Sequence, residues 1–309
     1  MDRARELEVF VAVAEASGFA RAGARLRMSP PAVTRTVASL EERLGVRLFT
    51  RSTRRVVLTE AGGRFLARAR QLLADLDDAE REAQGEAARP RGRLTLTAPL
   101  TFGRALIAPI VGEFLRAYPE ISVSLLLLDR VAQLAEEGID AALRIGQLPD
   151  SGLVARRVGT VRRVLVASPG YLADRGVPAS PEALAGHDLI DFTGLSHNRE
   201  WRFVVDKQPL SLRVAARLEL NDAAAALAAA ERGEGVTLAL SYMVEEALRE
   251  GRLLTLCEGA MPPPLPVQLV HVEGRLVAPK VRAWMDFAAP RLIERLGARA
   301  PVGPAQVPV

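Results

Sequence analysis

Residues 28 to 45 read Met28-Ser29-Pro30-Pro31-Ala32-Val33-Thr34-Arg35-Thr36-Val37-Ala38-Ser39-Leu40-Glu41-Glu42-Arg43-Leu44-Gly45, and this stretch decides how the chain folds. A Ser N-cap and two prolines in the first turn, where a missing N–H costs nothing, predict a helix that begins at Pro30. Its apolar residues recur at helical spacing and predict one buried stripe, made of Val33, Val37, Leu40 and Leu44. Thr34 and Arg35 point away from that stripe. From such positions a recognition helix reaches base edges and phosphates in the major groove of DNA.

The segment before this helix predicts the first two helices of a helix-turn-helix. Apolar residues repeat at helical spacing from Leu7 to Ala16, and Ser17-Gly18-Phe19 interrupts them. A second short helix is predicted from Arg21 to Leu26, and the break before Ser29 is as short as a helix-turn-helix requires. The alternative interpretation, an ordinary surface helix in a small helical subdomain, leaves these flanking segments unexplained.

The segment after the recognition helix predicts a basic wing. Residues 47–59 have a strand-like start, an Arg-rich turn and a β-branched return, and Thr59 caps a further helix. The predicted DNA contacts are therefore the residues at the start of the recognition helix and the arginines of the wing: Ser29, Pro30, Pro31, Thr34, Arg35, Arg51, Arg54 and Arg55.

The positive charge of the chain is concentrated in this module. Residues 1–58 contain 11 Arg and six acidic residues, a net charge of +5, whereas the whole 309-residue chain has a net charge of +4. The remaining 251 residues therefore carry a charge of about −1. Such a local excess of Arg indicates a surface that neutralises DNA phosphates.

The module also matches a known sequence pattern, position by position. The matching residues are Phe10, Val13, Ala14, Glu15, Phe19, Ala22, Leu26, Ser29, Ala32, Val33, Arg35, Leu40, Glu41, Leu44, Gly45, Leu48, Phe49, Arg51, Arg55, Leu58, Thr59, Ala61 and Gly62. With these residues the segment resembles the winged helix-turn-helix of LysR-type transcriptional regulators. It departs from the pattern at Pro30, where the family often has a Gln that can hydrogen-bond a base. It also departs at Gly23, which is expected to weaken the second helix by about 1 kcal/mol relative to Ala.

A long helix with coiled-coil periodicity is predicted after the wing. From Thr59 to about Glu86 apolar residues alternate at spacings of three and four, and Glu80 interrupts one position. The seam predicted between two subunits consists of Leu66, Ala69, Leu73 and Leu76. The alternative is a long helix packed on its own domain. The resemblance implies that this linker helix pairs two subunits.

The rest of the chain predicts two α/β lobes. Strand and helix patterns alternate from Leu94 to Ile145, which implies a parallel sheet with helices on both faces. A second set runs from Arg162 to Val272, and a closing helix from Lys280 to Leu296 is predicted to return to the first lobe. The phrases that also resemble the family's effector domain, similar in fold to type 2 periplasmic binding proteins, span residues 97–103, 114–119, 137–146 and 168–172.

The predicted fold class is thus α/β with three parts. An N-terminal winged helix-turn-helix DNA-binding domain covers residues 1–59, and a linker/dimerisation helix with a hinge covers residues 60–92. A two-lobed α/β effector domain, like a type 2 periplasmic binding protein, covers residues 93–297. Residues 298–309 are predicted to form a disordered tail.

A ligand cleft is expected where the strands of the two lobes end. The turn at Thr101 offers N–H groups and a hydroxyl that suit an anion. Arg144 ends another strand and could bind a ligand carboxylate, although it could equally pair with Asp140 or Asp129. The predicted effector-binding residues are Thr101, Phe102, Gly103, Arg144, Gly146, Thr193, Gly194, Asn221 and Asp222. A cap or turn role alone is the alternative for these positions.

Other chemistry is sparse in the sequence. Cys257 is the sole cysteine, and His187, His197 and His271 lack metal-ligand spacing, so we predict no disulfide, metal site or cofactor. The chain begins in an amphipathic helix rather than a signal peptide, and no apolar run approaches the ~20 residues that cross a bilayer. These features predict a cytoplasmic protein without a membrane partner.

Three classes of function compete for this chain. A solute-binding protein explains only residues 93–297, and an enzyme needs a nucleophile, a base and an orienting acid that no motif brings together. A ligand-responsive regulator explains every segment. The sequence therefore predicts a homodimer or homotetramer that binds double-stranded operator DNA and a small-molecule effector, for which an anion is the candidate. RNA polymerase is a further candidate partner.

Overall fold

The N-terminal module of the computed structural model has the expected helix-turn-helix and wing. The structure describes residues 2–51, 56–83, 89–148, 152–196, 198–272 and 277–297, so His197 and the predicted tail lie outside the described residues. The elements of the module are α1 Arg3–Ala16, α2 Phe19–Leu26, α3 Pro30–Leu44, β1 Phe49–Arg51, β2 Val56–Leu58 and α4 Glu60–Ala83. Strands β1 and β2 pair antiparallel and form the wing.

A single apolar core holds this module together. Val33, Val37 and Leu40 of α3 are fully buried in it, as the helical spacing predicts. Leu44, the fourth residue of the predicted stripe, is 36% exposed, so this part of the prediction is wrong. The reason is that α3 ends at Leu44 and the chain turns away through Gly45, whose φ is +67°.

Gly23 is needed by the turn between α2 and α3. A Cβ at this position would lie 2.7 Å from the carbonyl oxygen of Met28, and the Met28 N–H donates to the Gly23 carbonyl at 2.9 Å. The absent side chain therefore lets the turn close tightly. The expected weakening of α2 by Gly23 stays a prediction, and the structure adds this close approach, which an Ala could not make.

Helix α4 packs against α1 of its own module, which changes the predicted seam. Ala69 is fully buried in the core of the module, and Leu66 is partly buried against it. The seam prediction is therefore wrong at Ala69, because a residue buried within one chain cannot contact another. Leu72 and Leu76 are 56% and 42% exposed, whereas Leu73 is half-buried.

The rest of the chain alternates strands with short helices. Its strands are β3 Gly92–Ala98, β4 Ile121–Leu127, β5 Ala141–Ile145, β6 Leu153–Val161, β7 Arg163–Ala167, β8 Leu189–Phe192, β9 Glu200–Val205, β10 Gln208–Arg213, β11 Leu218–Leu220, β12 Val236–Leu240, β13 Leu254–Leu256 and β14 Leu265–Val272. Its helices are α5 Leu100–Phe102, a π-helical turn Gly103–Ile107, α6 Ala108–Ala117, α7 Leu134–Glu137, α8 Pro169–Arg175, α9 Ala223–Glu231, α10 Ser241–Arg249 and α11 Pro279–Gly297, with 3₁₀ turns at Pro181–Gly186 and Glu258–Ala260.

Ten of these strands form two five-stranded sheets, one in each lobe, and β9 and β10 pair antiparallel as a separate hairpin. The first has the order β4-β3-β5-β14-β6 and the second β11-β8-β12-β7-β13. Four strands of each sheet run in the same direction, and one strand, β14 in the first sheet and β7 in the second, runs antiparallel to both of its neighbours. Strands β3, β4 and β5 are mutually parallel, as predicted for residues 94–145, and β14 is antiparallel because the chain returns from the second lobe between β13 and β14.

Helix α11 returns to the first lobe, as predicted. Trp284, Ala288 and Leu292 are buried in the core of that lobe, and the Trp284 ring meets the Phe114 ring edge-on at a centroid distance of 5.2 Å. Among the described residues, no helix has both the length and the apolar character that a membrane span needs.

Candidate DNA-binding surface and effector cleft

The start of α3 is an exposed surface. The Ser29 hydroxyl accepts a hydrogen bond from the Ala32 N–H at 3.4 Å and so caps the helix. Pro30 and Pro31 are exposed and Thr34 is half-buried, and all three lie at the N-terminal end of α3. The structure thus brings the helix residues of the predicted DNA contacts together, and it uses the Ser29 hydroxyl as a cap.

Two exposed guanidinium groups lie near this surface. Arg35 lies in the second turn of α3, and Arg27 occupies the turn between α2 and α3 with φ +54°. Neither forms an ion pair with a residue in the part of the chain that the structure describes. Sequence reasoning missed Arg27; a cation within the turn of a helix-turn-helix is the signal that would have found it.

Two carboxylates of α1 neutralise other arginines of the module. Glu6 is 3% exposed and accepts a hydrogen bond from Arg43 at 2.6 Å, which ties α1 to α3. Glu15 accepts from Arg25 at 2.7 Å and from Arg70 at 3.1 Å, which ties α1 to α2 and α4. Burial raises the pKa of Glu15, but the hydrogen bonds from Arg25 and Arg70, together with their positive charges, outweigh burial and hold the pKa below its ordinary value.

Glu41 connects the recognition helix to the wing. One of its carboxylate oxygens accepts the N–H of Leu48 at 2.8 Å and that of Phe49 at 3.1 Å, and the other accepts from Arg47 at 2.9 Å. Burial raises the pKa of Glu41, but the hydrogen bonds from Phe49, Leu48 and Arg47 together lower it below the ordinary value. Glu41 is part of the matched pattern, yet sequence reasoning gave it no role.

The wing is anchored but only partly described. Phe49 of β1 is 5% exposed, and its ring lies 5.3 Å from the Phe10 ring. Arg51 is the last residue of β1. Arg54 and Arg55 lie outside the described residues, so their contact with DNA stays a prediction.

The two lobes contact each other near the carboxyl ends of β3, β8 and β12. The Phe102 ring, just after β3, contacts the Tyr242 ring, just after β12, at a centroid distance of 5.0 Å. Leu195, just after β8, packs against the cores of both lobes. In doubly wound α/β folds ligands bind at such carboxyl ends of parallel strands.

The turn at Thr101 is less open to an anion than the sequence suggests. The Asp129 carboxylate already accepts the Leu100 N–H at 2.9 Å, and the Gly103 N–H donates to the Pro99 carbonyl at 2.7 Å. The half-buried Thr101 hydroxyl has no hydrogen-bond partner among the described residues. Within the turn Thr101-Phe102-Gly103, the Thr101 hydroxyl is therefore the polar side-chain group that is available to a ligand.

Phe102 and Gly103 are structural, which corrects their predicted effector role. Phe102 is fully buried, and a Cβ at Gly103 would lie 2.1 Å from the Leu127 side chain. The glycine therefore lets the helix begin directly on β4. A π-helical turn follows at once, in place of the regular helix expected.

Arg144 also departs from the prediction. Its guanidinium donates to the Ala132 carbonyl, and burial followed by the nearby Arg130 lowers its pKa. Neither predicted alternative partner is correct, because Asp129 binds the Leu100 N–H and Asp140 pairs with the buried Lys280 at 3.2 Å. Arg144 thus holds the loop before α7.

The remaining predicted effector residues lie at strand ends, mostly in tight turns. Thr193 follows β8 and binds the Leu220 carbonyl through its N–H at 2.9 Å, and the exposed Gly194 comes next. Asn221 is exposed, whereas Asp222 caps α9 by accepting the Ala225 N–H at 2.8 Å. Asp222 therefore has the helix-capping role that the sequence offered as the alternative to effector binding.

Gly146, after β5, adopts φ +110° and donates its N–H to Pro266 at 2.9 Å. This conformation favours glycine, so the residue shapes the turn at the end of the strand.

Two family models match the chain. The model described as bacterial regulatory helix-turn-helix protein, lysR family, matches residues 4–63, and the LysR substrate binding domain matches residues 87–292. The HTH-type transcriptional regulator CrgA of Neisseria meningitidis is 34% identical over 293 residues, which are 94% of this chain and 96% of that protein. An HTH-type transcriptional regulator of Xanthomonas campestris is 36% identical over 291 residues, 92% of this chain and 84% of that protein.

Solved structures agree with this result. The structure of CrgA, a LysR-type transcriptional regulator, superposes with a TM-score of 0.59 at 34% identity and covers 96% of this chain and 100% of that one. The full-length structure of the Vibrio cholerae virulence activator AphB superposes with a TM-score of 0.60 at 26% identity, and the match covers 93% of this chain and 98% of that one. The chain therefore belongs to the LysR family of transcriptional regulators, which bind DNA through a helix-turn-helix and small-molecule effectors through a separate domain.

Proposed function

We propose that this regulator binds a two-fold operator as a homodimer and changes its activity when a small molecule enters the cleft between the lobes. Residues 1–59 are its DNA-binding part, residues 60–92 the linker and residues 93–297 the effector part. Because its DNA lies in the cytoplasm, the protein acts there. RNA polymerase is the expected further partner, and we expect no catalytic activity.

The observation that carries the DNA-binding proposal is the unpaired charge at the start of α3. Arg35 is exposed and free of carboxylates among the described residues, while Glu6 and Glu15 neutralise arginines elsewhere in the module. A guanidinium at this position of a recognition helix can bind a guanine edge through two hydrogen bonds. Thr34, Pro30 and Pro31 lie beside it and would fix the local fit to the groove, together with the wing arginines.

The dimer proposal follows from the exposed face of α4. Leu72 and Leu76 are four residues apart, so they lie on one face of the helix and are largely exposed. A module that reads one half of a two-fold site needs a second copy at a fixed distance. We therefore place the seam at Leu72 and Leu76, with Leu73 beside them, and a homotetramer would require a further interface.

The effector proposal concerns the strand ends that face the cleft. Thr101 supplies a hydroxyl from the first lobe, and Thr193, Gly194 and Asn221 line the opposite edge of the second lobe. Gly146 completes the edge after β5. A ligand bound at both edges would change the relation of the lobes, because each edge belongs to a separate sheet.

The test compares Arg35→Ala with the wild-type protein on the bound genomic operator. Loss of the base contact should weaken specific binding by roughly 1–3 kcal/mol and relax the preference at one base position. Arg249→Ala, an exposed arginine of α10 far along the chain, is the matched control and should bind like the wild type. Equal operator affinity for Arg35→Ala and Arg249→Ala would remove Arg35 from the interface.

Arg27 allows a second and different measurement. If its exposed guanidinium contacts a phosphate, Arg27→Ala should weaken binding to all sequences alike and lower the slope of affinity against salt by about 1. An unchanged salt slope would show that Arg27 does not contact the DNA backbone.

A further inference from the structure

A small cavity of about 130 Å³ lies in the second lobe beside the junction of the two lobes. Arg163, the first residue of β7, lines it and pairs in the sheet with Leu240, the last residue of β12. Leu240 is buried in the core of the first lobe. Leu195, which also lines the cavity, packs against the cores of both lobes. The cavity is therefore at the edge of the sheet that faces the cleft.

Two guanidinium groups line this cavity. Arg163 is half-buried, and Arg202 of β9 lies on the exposed rim. Burial, and then the charge of Arg202, lowers the pKa of Arg163. Within the described ranges neither arginine has a carboxylate oxygen within 4.0 Å, and this includes Glu200, which lines the same cavity. A partly desolvated cation beside a second cation is unfavourable unless an anion joins them.

The rest of the cavity wall consists of two apolar residues and the half-buried Glu200. Leu238 is 3% exposed, and Leu195 is partly buried against its neighbours. An inorganic anion would leave these side chains without a partner, whereas an organic acid can place a short hydrocarbon body against them. The walls thus favour a small molecule with an anionic head and an apolar tail.

We propose that this cavity binds the carboxylate of a small organic acid, with Arg163 as the principal cation and Arg202 as the rim cation. A guanidinium holds a carboxylate through two parallel hydrogen bonds, which explains the choice of Arg at the buried position. The inference rests on the proposed effector cleft and names the chemical class of the effector. It transfers the role expected of Arg144 to Arg163, because Arg144 already holds the Ala132 carbonyl.

The experiment measures thermal unfolding of the full-length protein with butyrate, a carboxylate with a short apolar tail. Butyramide is the uncharged probe of the same shape, and sodium chloride matches the ionic strength. Butyrate should raise the Tm in a saturable manner, and butyramide should not. Equal shifts from the two probes, or no shift from butyrate, would overturn the proposal.

Two variants locate the site. Arg163→Gln should weaken the apparent affinity for butyrate about tenfold or more, as expected for a lost charge-assisted contact. Arg162→Gln changes the adjacent exposed arginine and should keep the wild-type response. An unchanged response in Arg163→Gln would place butyrate elsewhere and overturn the proposal.

A third variant covers the case in which Arg163→Gln does not fold. The side chain of Arg202 is exposed, so Arg202→Gln should fold and still lose part of the affinity for butyrate. A full response in this variant would then overturn the proposal. The readout needs no DNA, so failure to bind an operator counts against the proposed function only. An absent butyrate shift with intact operator binding counts against this inference only.

Discussion

Glu41 offers the sharpest test of how the wing is held on the recognition helix. Its Oε1 atom accepts two backbone N–H groups, from Leu48 and Phe49, whose residues are 1% and 5% exposed. Glu41→Ala removes the acceptor and leaves two buried donors unsatisfied. Each such donor costs about 1–3 kcal/mol, so the pair should cost roughly 4 kcal/mol. The Arg47 ion pair adds little, because that side chain is 75% exposed.

The assay is amide hydrogen exchange in a peptide that spans β1, because a multidomain chain does not unfold in one step. A loss of roughly 4 kcal/mol corresponds to opening about a thousandfold more often, up to the limit set by the stability of the module. Glu42→Ala is the matched control, since Glu42 is the adjacent and exposed carboxylate. If both variants exchange at the same rate, the reasoning about buried donors is refuted.

The same carboxylate should make the wing sensitive to acid. The pKa of Glu41 in the folded state lies below its ordinary value of 4.5, so its stabilisation is fully present above that value. It is lost as the pH falls from 4.5 through the folded-state pKa, because the unfolded chain then binds the proton more readily. Exchange of the β1 amides, corrected for its intrinsic pH dependence, should accelerate in this window. Glu41→Gln should remove most of that acceleration.

Three further predictions concern the other parts of the chain. Leu76→Glu, on the exposed face of α4, should release monomers in sedimentation, and a folded variant of native mass would refute the seam. Thr101→Val should abolish the response to effector in a reporter assay and leave operator affinity unchanged, whereas a full response would remove Thr101 from the site. Lys280→Met leaves the 3% exposed Asp140 side chain without its cation and should destabilise the protein by about 3–5 kcal/mol. Thermal unfolding measures this loss, and an unchanged Tm would contradict it.

The DNA-binding module was the most predictable part, because its signals are local. Ser29 and Thr59 cap their helices as expected, and Thr59 accepts the Gly62 N–H at 2.9 Å. The bounds of α3 and of β5 and β12 agree with the periodicity of the sequence. The short edge strands and the hairpin of β9 and β10 were missed, because their patterns are brief and their partners are distant in the chain.

The candidate site was predictable only in outline. The sequence indicates which residues follow strands: Thr193 and Asn221 directly follow β8 and β11, and Thr101 lies in α5, shortly after β3. It does not indicate that the Asp129 carboxylate accepts the Leu100 N–H. Nor does it indicate that Arg144 donates to a backbone carbonyl, whereas Arg163 has no carboxylate partner among the described residues. These hydrogen-bond partners depend on which side chains the tertiary fold brings next to a given donor or acceptor.

By itself the sequence determined the family, the order of the modules, the helix caps and the faces that become buried. These properties follow from residue type and from spacing of a few positions along the chain. Only the tertiary structure decided that Glu6 holds Arg43, that Ala69 is buried within its own module, and that Arg163 pairs with no carboxylate among the described residues. Hydrophobic periodicity predicts which face of a helix or strand becomes buried. The element that packs on this face comes from a distant part of the chain. Charge pairing depends on that covering element, so it is fixed only when the whole chain has packed.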